Sequence, residues 1–322
     1  PAFLDYFNIP GKSKILVDQL QSEQGARFLA KRNRNIIVEV DEVLDLTEDF
    51  KWLTLGQIKK LCCYDNVINM DLRTVISCIP FHEVNEVFLE SIKNEYYLNS
   101  YNGANFLDSI LSKNNNHIST DSVISWLAEL KSKTDIKIKN VRLDELNNWS
   151  LTDDKLSHID NLYFDVLWVK AQIMHREVSS WGQPILAPSN HGLIAFIVKK
   201  INGEYYFLVQ AEIECGHLDI YELGPTVSCV ESNHPNGSVP FLDYVSSVKN
   251  TQILYSSLQS EEGGRFYKEQ NTNMIIEADS ALIEKIPFNY KWISYSQLLF
   301  FNKFNNFLNI GARSLLAIIR FD

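Results

Sequence analysis

Two stretches of the chain carry apolar patterns that predict strands followed by helices. In the first stretch, Ile15–Gln21 and Asn35–Val40 are rich in isoleucine and valine, which predicts two strands. Thr54–Cys63 and Met70–Ile79 then place apolar residues at helical spacing, and each begins beside a residue suited to capping a helix. The pattern therefore predicts the order strand, strand, helix, helix for residues 15–79.

The second stretch begins with an amphipathic helix after Ser119 and continues into a longer set of strands. Asn202-Gly203 is typical of a tight hairpin turn between two apolar runs. The predicted strands are Tyr163–Ala171, Leu193–Lys199, Tyr205–Glu212 and Thr226–Glu231, and the predicted closing helices lie near Ser294–Phe301 and Ile310–Ile319. These elements predict an α+β fold in which helices flank a mixed sheet.

The two stretches are also related in sequence. Phe3–Val40 aligns without gaps to Phe241–Ala278 at an offset of 238 residues, and 17 of the 38 aligned positions are identical. The similarity continues at an offset of 240, where Lys51-Trp52 aligns with Lys291-Trp292. We interpret the chain as a tandem duplication of one unit.

This duplication predicts three regions. Residues 1–84 form the C-terminal part of the first unit, residues 85–118 form a helical connector, and residues 119–322 form the complete second unit. The first unit lacks the front half that precedes the shared motif in the second. We therefore expect a fragment or processed form, cut inside the first unit, with strand edges and core surface left uncovered.

Composition narrows the possible functions. The 322 residues are long enough for two domains with large cores. A net charge of −10 without a lysine and arginine cluster argues against a nucleic-acid partner. No apolar run approaches the roughly 20 residues that span a bilayer, and the N-terminus is not a signal peptide. Five cysteines without a C-x-x-C pair indicate reduced thiols in a cytoplasmic protein.

The motif SEEGGRF at Ser260–Phe266 is the sharpest candidate for chemistry. Its glycines let a ligand approach backbone N–H groups, and Arg265 can fork onto a phosphate or carboxylate. A turn that enters a helix would explain the same pattern. The first copy has Gln24 where the second has Glu262. Only the carboxyl can exchange a proton, which favours Glu262 as an acid or base, with neutral drift as the alternative.

The front half of the second unit adds polar residues among apolar strands. These residues, which either satisfy the interior or face a pocket, are Gln183, Gln210, Glu214 and Glu222. Trp181 offers a flat face to a base or sugar, or belongs to the core. His217 and Tyr221 lie in a loop beside Glu222, where they are candidates for moving protons, with a structural role as the alternative.

Sequence fingerprints of several enzyme classes are missing. The chain has no H-x-x-x-H, no D-x-D cluster, no phosphate loop, no G-x-G-x-x-G and no G-x-S-x-G. We therefore predict that the protein uses neither a metal ion nor a cofactor.

Several motifs together resemble the sugar-nucleotide 2,3-dehydratases. In the second copy these are REVSSWGQP (176–184), GLIAFIVKKINGEYYFLVQAE (192–212), ELGPTV (222–227), LQSEEGGRF (258–266) and NFLNIGARSLLA (306–317). In the first copy they are LQSEQGARFLAKRNRNIIVEV (20–40), FKWLTLGQI (50–58) and NMDLRTVISCIPF (69–81). The resemblance implies tandem Nudix-like units without an intact metal-binding box.

The same resemblance implies loss of water across C2 and C3 of dTDP-4-keto-6-deoxyglucose by side-chain acid and base chemistry. Glu262 and His217 are the first acid/base candidates, with Tyr221 and Glu222 behind them. Candidates for substrate binding are Trp181, Gln183, Gln210, Ser260, Glu261, Arg265, Asn273, Asn306 and Arg313. A possible second nucleotide site in the first copy comprises Ser22, Glu23, Arg27, Asn35, Asn66 and Arg73.

Two other functions stay open on the sequence. One is a metal-dependent Nudix-type hydrolase of nucleotide sugars, and the other is a catalytically silent subunit that binds them. The expected partners are a dTDP-sugar and a second copy in a homodimer, with no nucleic acid and no membrane.

Overall fold

The fold is taken from a computed structural model that describes residues 2–79, 109, 119–174, 178–201, 204–234, 239–279 and 286–319. The connector predicted for residues 85–118 lies outside these residues apart from Ser109, and so does the predicted Asn202-Gly203 turn.

The first segment folds as a two-stranded hairpin followed by helices. Its elements are α1 (Asp5–Asn8), β1 (Lys14–Ser22), β2 (Arg32–Glu39), α2 (Leu55–Leu61) and α3 (Met70–Ser77). β1 and β2 pair antiparallel, and the predicted strands and helices are confirmed. The caps are confirmed too, because the side chains of Thr54 and Asn69 accept hydrogen bonds from the first turns of α2 and α3.

The second segment starts with one helix and a four-stranded sheet. These elements are α4 (Thr120–Ser132), β3 (Trp149–Leu151), β4 (Lys155–His158), β5 (Phe164–Gln172) and β6 (Ser180–Pro188). Ser119 caps α4 as predicted. Sequence reasoning identified only β5 of this sheet, in which the strands are ordered β3-β4-β5-β6.

A seven-stranded mixed sheet forms the body of the second segment. Its strands are β7 (Gly192–Ile201), β8 (Glu204–Glu212), β9 (Glu222–Gly224), β10 (Val227–Cys229), β11 (Ile253–Ser260), β12 (Gln270–Glu277) and β13 (Tyr290–Ser294). The order is β11-β12-β7-β8-β13, with β10 beside β7 and β9 beside β8. Only the β12–β7 pair is parallel among these ladders.

Helices and apolar clusters cover both faces of this sheet. The helices that follow are α5 (Leu242–Ser246), α6 (Tyr295–Phe301) and α7 (Ile310–Ala317). Phe196 and Phe207 belong to the cluster under α6 and α7, whereas Ile197 and Leu208 belong to the cluster on the opposite face. Because alternate side chains of β7 and β8 enter different clusters, both strands are buried on both sides. The predicted α+β class is confirmed.

Corresponding apolar residues are buried in the second segment and open in the first. Ile275 on β12 is 1% exposed, whereas Ile37 on β2 is only partly buried. Trp292 is 8% exposed, whereas Trp52 is 68% exposed. Among the described residues, β2 pairs with β1 alone, while β12 also pairs with β7. The first segment therefore presents an apolar groove of about 530 Å³.

Arg73 on α3 joins the two segments through a buried guanidinium. The side chain is 1% exposed. Its Nε donates to Ser314 Oγ at 2.8 Å, and its Nη2 donates to the Ser260 carbonyl at 2.9 Å. Its Nη1 donates to the Ile68 carbonyl at 2.6 Å. Carbonyl and hydroxyl acceptors on both segments thus satisfy this buried charge.

Arg313 on α7 makes the reciprocal set of hydrogen bonds. Its Nε donates to Thr74 Oγ1 at 2.9 Å, its Nη1 donates to the Leu308 carbonyl at 2.5 Å, and its Nη2 donates to the Ser22 carbonyl. Each partner aligns with the partner of Arg73 in the sequence repeat. The two segments therefore contact each other reciprocally: each arginine bonds to residues of the other segment that are equivalent in the repeat.

Candidate active site

A cavity of about 230 Å³ lies where the loop of residues 22–28 meets the seven-stranded sheet. The second segment contributes Gly192–Ile194 from β7 and Asn309–Gly311 at the start of α7. The polar and charged side chains on its wall include Glu23, Gln24 and Arg27 from the first segment and Glu214, Glu261, Glu269, Asn271 and Asn309 from the second. Sequence reasoning assigned one site to each copy, whereas this cavity is built from both.

Close contact between two loops places the first segment at this cavity. The Gly216 N–H donates to the Gly25 carbonyl at 2.8 Å, and the Ala30 N–H donates to the Gly216 carbonyl at 2.8 Å. A Cβ atom on Gly216 would overlap the carbonyl oxygens of Gly25 and Phe28, so the contact requires glycine. The loop that carries His217 is thereby fixed against the first segment.

His217 lies between two carboxylates, one on the cavity wall and one in the interior. Its Nε2 is 3.2 Å from Glu214 Oε2 and 3.9 Å from Glu222 Oε2. The Ala26 N–H donates to Glu214 Oε2 at 2.8 Å, and Ser22 Oγ donates to Glu222 Oε2 at 2.6 Å. The structure thus brings together His217 and Glu222, both predicted from sequence, and adds Glu214 as their link to the cavity.

Burial and charge shift the protonation of this cluster. Burial alone lowers the pKa of His217, but the hydrogen bond that its N–H donates to Glu214 and the charge of Glu222 outweigh burial and raise that pKa overall. Burial raises the pKa of Glu222. Glu212 accepts a hydrogen bond from Asn309 on the cavity wall, and burial and the charge of Glu214 raise the pKa of Glu212 to about 8. The cluster therefore retains exchangeable protons near neutral pH.

We expect Glu212 to make the protein less stable as the pH rises from about 5 to about 8. Its folded pKa of about 8 exceeds the ordinary glutamate value, so the folded state binds the extra proton in this window. The free energy of unfolding should then fall by up to about 1.4 kcal/mol per pH unit. Urea unfolding between pH 5 and pH 9 should show a flatter dependence for Glu212→Gln. The exposed-site control Glu129→Gln should keep the slope, and equal slopes in both variants would contradict the assignment.

The second segment supplies a further pair of buried carboxyl groups to the cavity. Asn271 Nδ2 donates to Glu261 Oε1 at 2.7 Å, and the Glu261 N–H donates to the Glu269 carbonyl at 3.0 Å. Burial raises the pKa of Glu261. Burial and the charge of Glu261 raise the pKa of Glu269 to about 7, against the opposing charge of Arg27. Glu269 can therefore carry a proton at neutral pH.

Arg265 and Glu262, both predicted from sequence, form an ion-pair group outside the cavity lining. Arg265 Nη1 is 2.9 Å from Glu23 Oε2, and its Nε is 3.0 Å from Glu262 Oε2. Burial, followed by the charge of Asp71, raises the pKa of Glu262. The guanidinium of Arg265 is therefore already paired with two carboxylates.

Trp181, Gln183, Gln210 and Tyr221 lie away from the cavity wall. Trp181 Nε1 donates to Gln183 Oε1 at 2.6 Å, and Gln183 Nε2 donates to the Gly264 carbonyl at 2.6 Å, which joins β6 to the loop of residues 260–266. Gln210 is a half-buried residue of β8. The Tyr221 hydroxyl is 2.9 Å from an oxygen of Thr134, beyond α4.

The predicted asparagines support the contact between segments. Asn35 Nδ2 donates to Thr74 Oγ1 and Asn273 Nδ2 donates to Ser314 Oγ, each at 3.3 Å. These two hydroxyls are the ones that receive the arginine Nε donors. Asn66 and Asn306 both adopt left-handed backbone conformations, with φ of 57° and 61°. Ser22, Ser260, Arg73 and Arg313 also lie at this contact rather than on the cavity wall.

Sequence reasoning assigned no role to several polar residues of the cavity wall. It noted Glu214 only as a polar residue beside a strand, and it gave no function to Glu269, Asn271 or Asn309. A comparison of the copies could have found Glu269, because the first copy has Lys31 at that position. It could also have found Asn271, because its counterpart Asn33 donates to Glu23 just as Asn271 donates to Glu261.

Neither a metal centre nor a membrane-spanning helix is found in the part of the chain that the structure describes. Within those ranges, no three His, Cys, Asp or Glu side chains are arranged to hold a metal ion. The described helices also lack the combination of length and apolar character needed to cross a bilayer.

Comparisons with known proteins identify relatives along nearly the whole chain. Residues 1–79 and 120–319 match the sequence pattern described as NDP-hexose 2,3-dehydratase. The dTDP-4-dehydro-6-deoxy-alpha-D-glucopyranose 2,3-dehydratase of Saccharopolyspora spinosa is 39% identical over 321 residues, which is 98% of this chain and 65% of that protein. Proteins of the same name from Amycolatopsis orientalis and Streptomyces violaceoruber are each 34% identical, over 98% and 99% of this chain.

The chain spans 62–68% of the length of these curated relatives. Even so, the alignments include 98–99% of this chain, and the family pattern matches residues of both segments. The chain therefore belongs to the NDP-hexose 2,3-dehydratase family.

Proposed function

We propose that the protein removes water across C2 and C3 of a nucleotide-linked 4-keto-6-deoxyhexose, with dTDP-4-keto-6-deoxyglucose as the substrate. The observation that carries this proposal is the 34–39% identity to proteins named as 2,3-dehydratases of that sugar nucleotide. The cavity wall supports it with several carboxyl groups that can exchange protons, and the His217 imidazole lies directly behind one of them, Glu214.

The chemistry needs a base, an acid and hydrogen-bond donors, all of which side chains can provide. The C4 ketone acidifies the hydrogen on C3, because the charge left by its removal spreads onto the ketone oxygen. The C2 hydroxyl then leaves with a proton as water, and the resulting enol takes a proton on C2 to give a 3,4-diketo-2,6-dideoxy sugar. A positioned donor to the enolate oxygen lowers the barrier further.

In this proposal, Glu214 removes the proton from C3. His217 lies behind Glu214 and donates a hydrogen bond to its carboxylate. Glu214 is the carboxylate of the pair that reaches the cavity, and His217 joins it to the interior Glu222. Glu269 is the candidate acid for the departing hydroxyl, since its pKa of about 7 lets it carry a proton at neutral pH. Asn271 and Asn309 are candidates for orienting sugar hydroxyl groups.

We also propose that the chain is a tandem pair of Nudix-like units, as the family resemblance implies. The 17 identities between the two copies and the reciprocal hydrogen bonds of Arg73 and Arg313 support duplication.

We further propose a homodimer in the cytoplasm. Five free cysteines support a reducing compartment, and sedimentation measurements test the dimer.

Incubation with dTDP-4-keto-6-deoxyglucose, with and without a chelator, tests the proposed reaction. We expect a product that has lost one molecule of water, formed equally in both conditions and detected by mass spectrometry. The matched control is dTDP-glucose, which should stay unchanged because it has no C4 ketone to acidify C3.

The same experiment separates the other functions considered from the sequence. Release of a nucleoside monophosphate that stops with chelator would replace the dehydratase by a metal-dependent hydrolase. Ligand-induced thermal stabilisation without any product would indicate a silent binding subunit.

A further inference from the structure

The loops SEQGARF (Ser22–Phe28) and SEEGGRF (Ser260–Phe266), which share the pattern SExG-R-F, differ in whether their arginine is already paired. Arg265 is held by Glu262 in its own loop and by Glu23 in the other copy. Its counterpart Arg27 makes no ion pair with any carboxylate in the described residues. The hydrogen bond from the Arg27 side chain to the Ala26 carbonyl is long at 3.4 Å. Its guanidinium lies 4.6 Å from the ring centroid of Phe164 and lines the cavity.

The amide or carboxylate three residues earlier explains this difference. Both loops form the same turn: the Arg27 N–H donates to the Gln24 carbonyl at 3.1 Å, and the Arg265 N–H donates to the Glu262 carbonyl at 3.0 Å. The backbone of the turn is therefore the same in each copy, but the Gln24 side chain forms its hydrogen bond with Glu261 of the other segment rather than with Arg27. Glu262 neutralises Arg265, whereas the uncharged Gln24 leaves Arg27 available.

Apart from Arg27, the cavity offers an anion the imidazole of His234 and few other attractive groups. Its wall carries the carboxyl groups of Glu23, Glu214, Glu261 and Glu269, which suit sugar hydroxyls rather than phosphates. A guanidinium presents a planar fork that matches two phosphate oxygens. Arg27 is the arginine on this wall, and it comes from the segment opposite the sheet that forms most of the cavity.

We propose that Arg27, kept unpaired by Gln24, binds the diphosphate of the sugar nucleotide at a cavity whose remaining wall belongs mainly to the second segment. This inference rests on the proposed function for the identity of the nucleotide. It assigns the anionic end of the ligand to the first copy and the proton-transfer groups to the second, so that one site needs both copies. Arg265 then acts in holding the two loops together.

Calorimetric titrations with thymidine diphosphate and with inorganic pyrophosphate test the proposal. Arg27→Ala removes the guanidinium. Gln24→Glu places a carboxylate at the position equivalent to Glu262 in the other loop. Each variant should weaken both ligands by about 10-fold or more, since a charge-assisted hydrogen-bond pair is lost. The matched controls Arg34→Ala and Gln172→Glu make the same changes at exposed positions and should bind within about twofold of the parent chain.

The possible outcomes are distinct. Unchanged binding in Arg27→Ala and Gln24→Glu would overturn the inference, as would loss of binding in Arg265→Ala while Arg27→Ala still binds. Pyrophosphate binding that depends on Arg27, without binding of thymidine diphosphate, would keep the anion site and refute the proposed nucleotide. A parent chain that binds neither ligand but still dehydrates the keto sugar would overturn this inference alone, whereas one that also forms no product would overturn the proposed function.

Discussion

Replacement of Glu214 by glutamine is expected to lower turnover of dTDP-4-keto-6-deoxyglucose by about 10²- to 10⁴-fold, the range for loss of a positioned proton-transfer group. Glutamine keeps the size of the side chain and can still accept from the Ala26 N–H, but it cannot take a proton from C3. The His217 imidazole, 3.2 Å away, would also lose the carboxylate that stabilises its charged form.

Three measurements distinguish a catalytic role from a structural one. Glu214→Gln should lower kcat while thymidine diphosphate still binds, and its urea unfolding midpoint should stay close to that of the parent chain. His217→Gln should shift the acidic limb of the pH profile of kcat/KM. The comparison variant is Glu262→Gln, because Glu262 lies outside the cavity lining. If that variant lost turnover and Glu214→Gln did not, Glu262 would be the proton carrier and our assignment would be wrong.

Replacement of Arg313 by methionine is expected to destabilise the protein by about 3–5 kcal/mol, the usual loss when one member of a buried charged network is removed. The change would remove the arginine donors to the Ser22 and Leu308 carbonyls in the interior and would leave the Thr74 hydroxyl with only the longer hydrogen bond from Asn35. The buried Glu222 would also lose a nearby positive charge that lowers its pKa.

Urea unfolding followed by circular dichroism measures this effect. Arg73→Met should cause a loss of similar size, because Arg73 makes the reciprocal bonds. The double variant should lose less than the sum, since both arginines support one contact. Arg34→Met is the matched control on the exposed surface of β2 and should leave the midpoint nearly unchanged. An equally small shift in Arg313→Met would show that the buried network contributes little.

Local residue chemistry made most elements of the fold predictable. Isoleucine and valine in residues 35–40 and 193–199 favour extended backbone, and β2 and β7 form there. Thr54, Asn69 and Ser119 cap helices because their side chains bond to N–H groups three residues later, a requirement within one turn. Among the missed strands, β3, β4 and β9 have only three or four residues each, too few for a period to emerge. The nine-residue β6 was missed as well, because Gly182, Pro184 and Pro188 interrupt its apolar pattern.

The sequence by itself also identified the two SExG-R-F loops and the contrast between Gln24 and Glu262, because repeated letters and a single exception are visible without coordinates. Only the tertiary structure decided which of the two loop arginines is free of ion pairs and that this arginine, Arg27, lines a cavity formed mainly by the second segment. Ion pairs such as Arg265 with Glu23 join residues 242 positions apart, and packing of one segment on the other selects them. The same packing buries Arg73 and Arg313 at the contact between segments, since their carbonyl acceptors lie on both copies. A local motif fixes the turn that presents a side chain, but the partner of that side chain depends on the assembled fold.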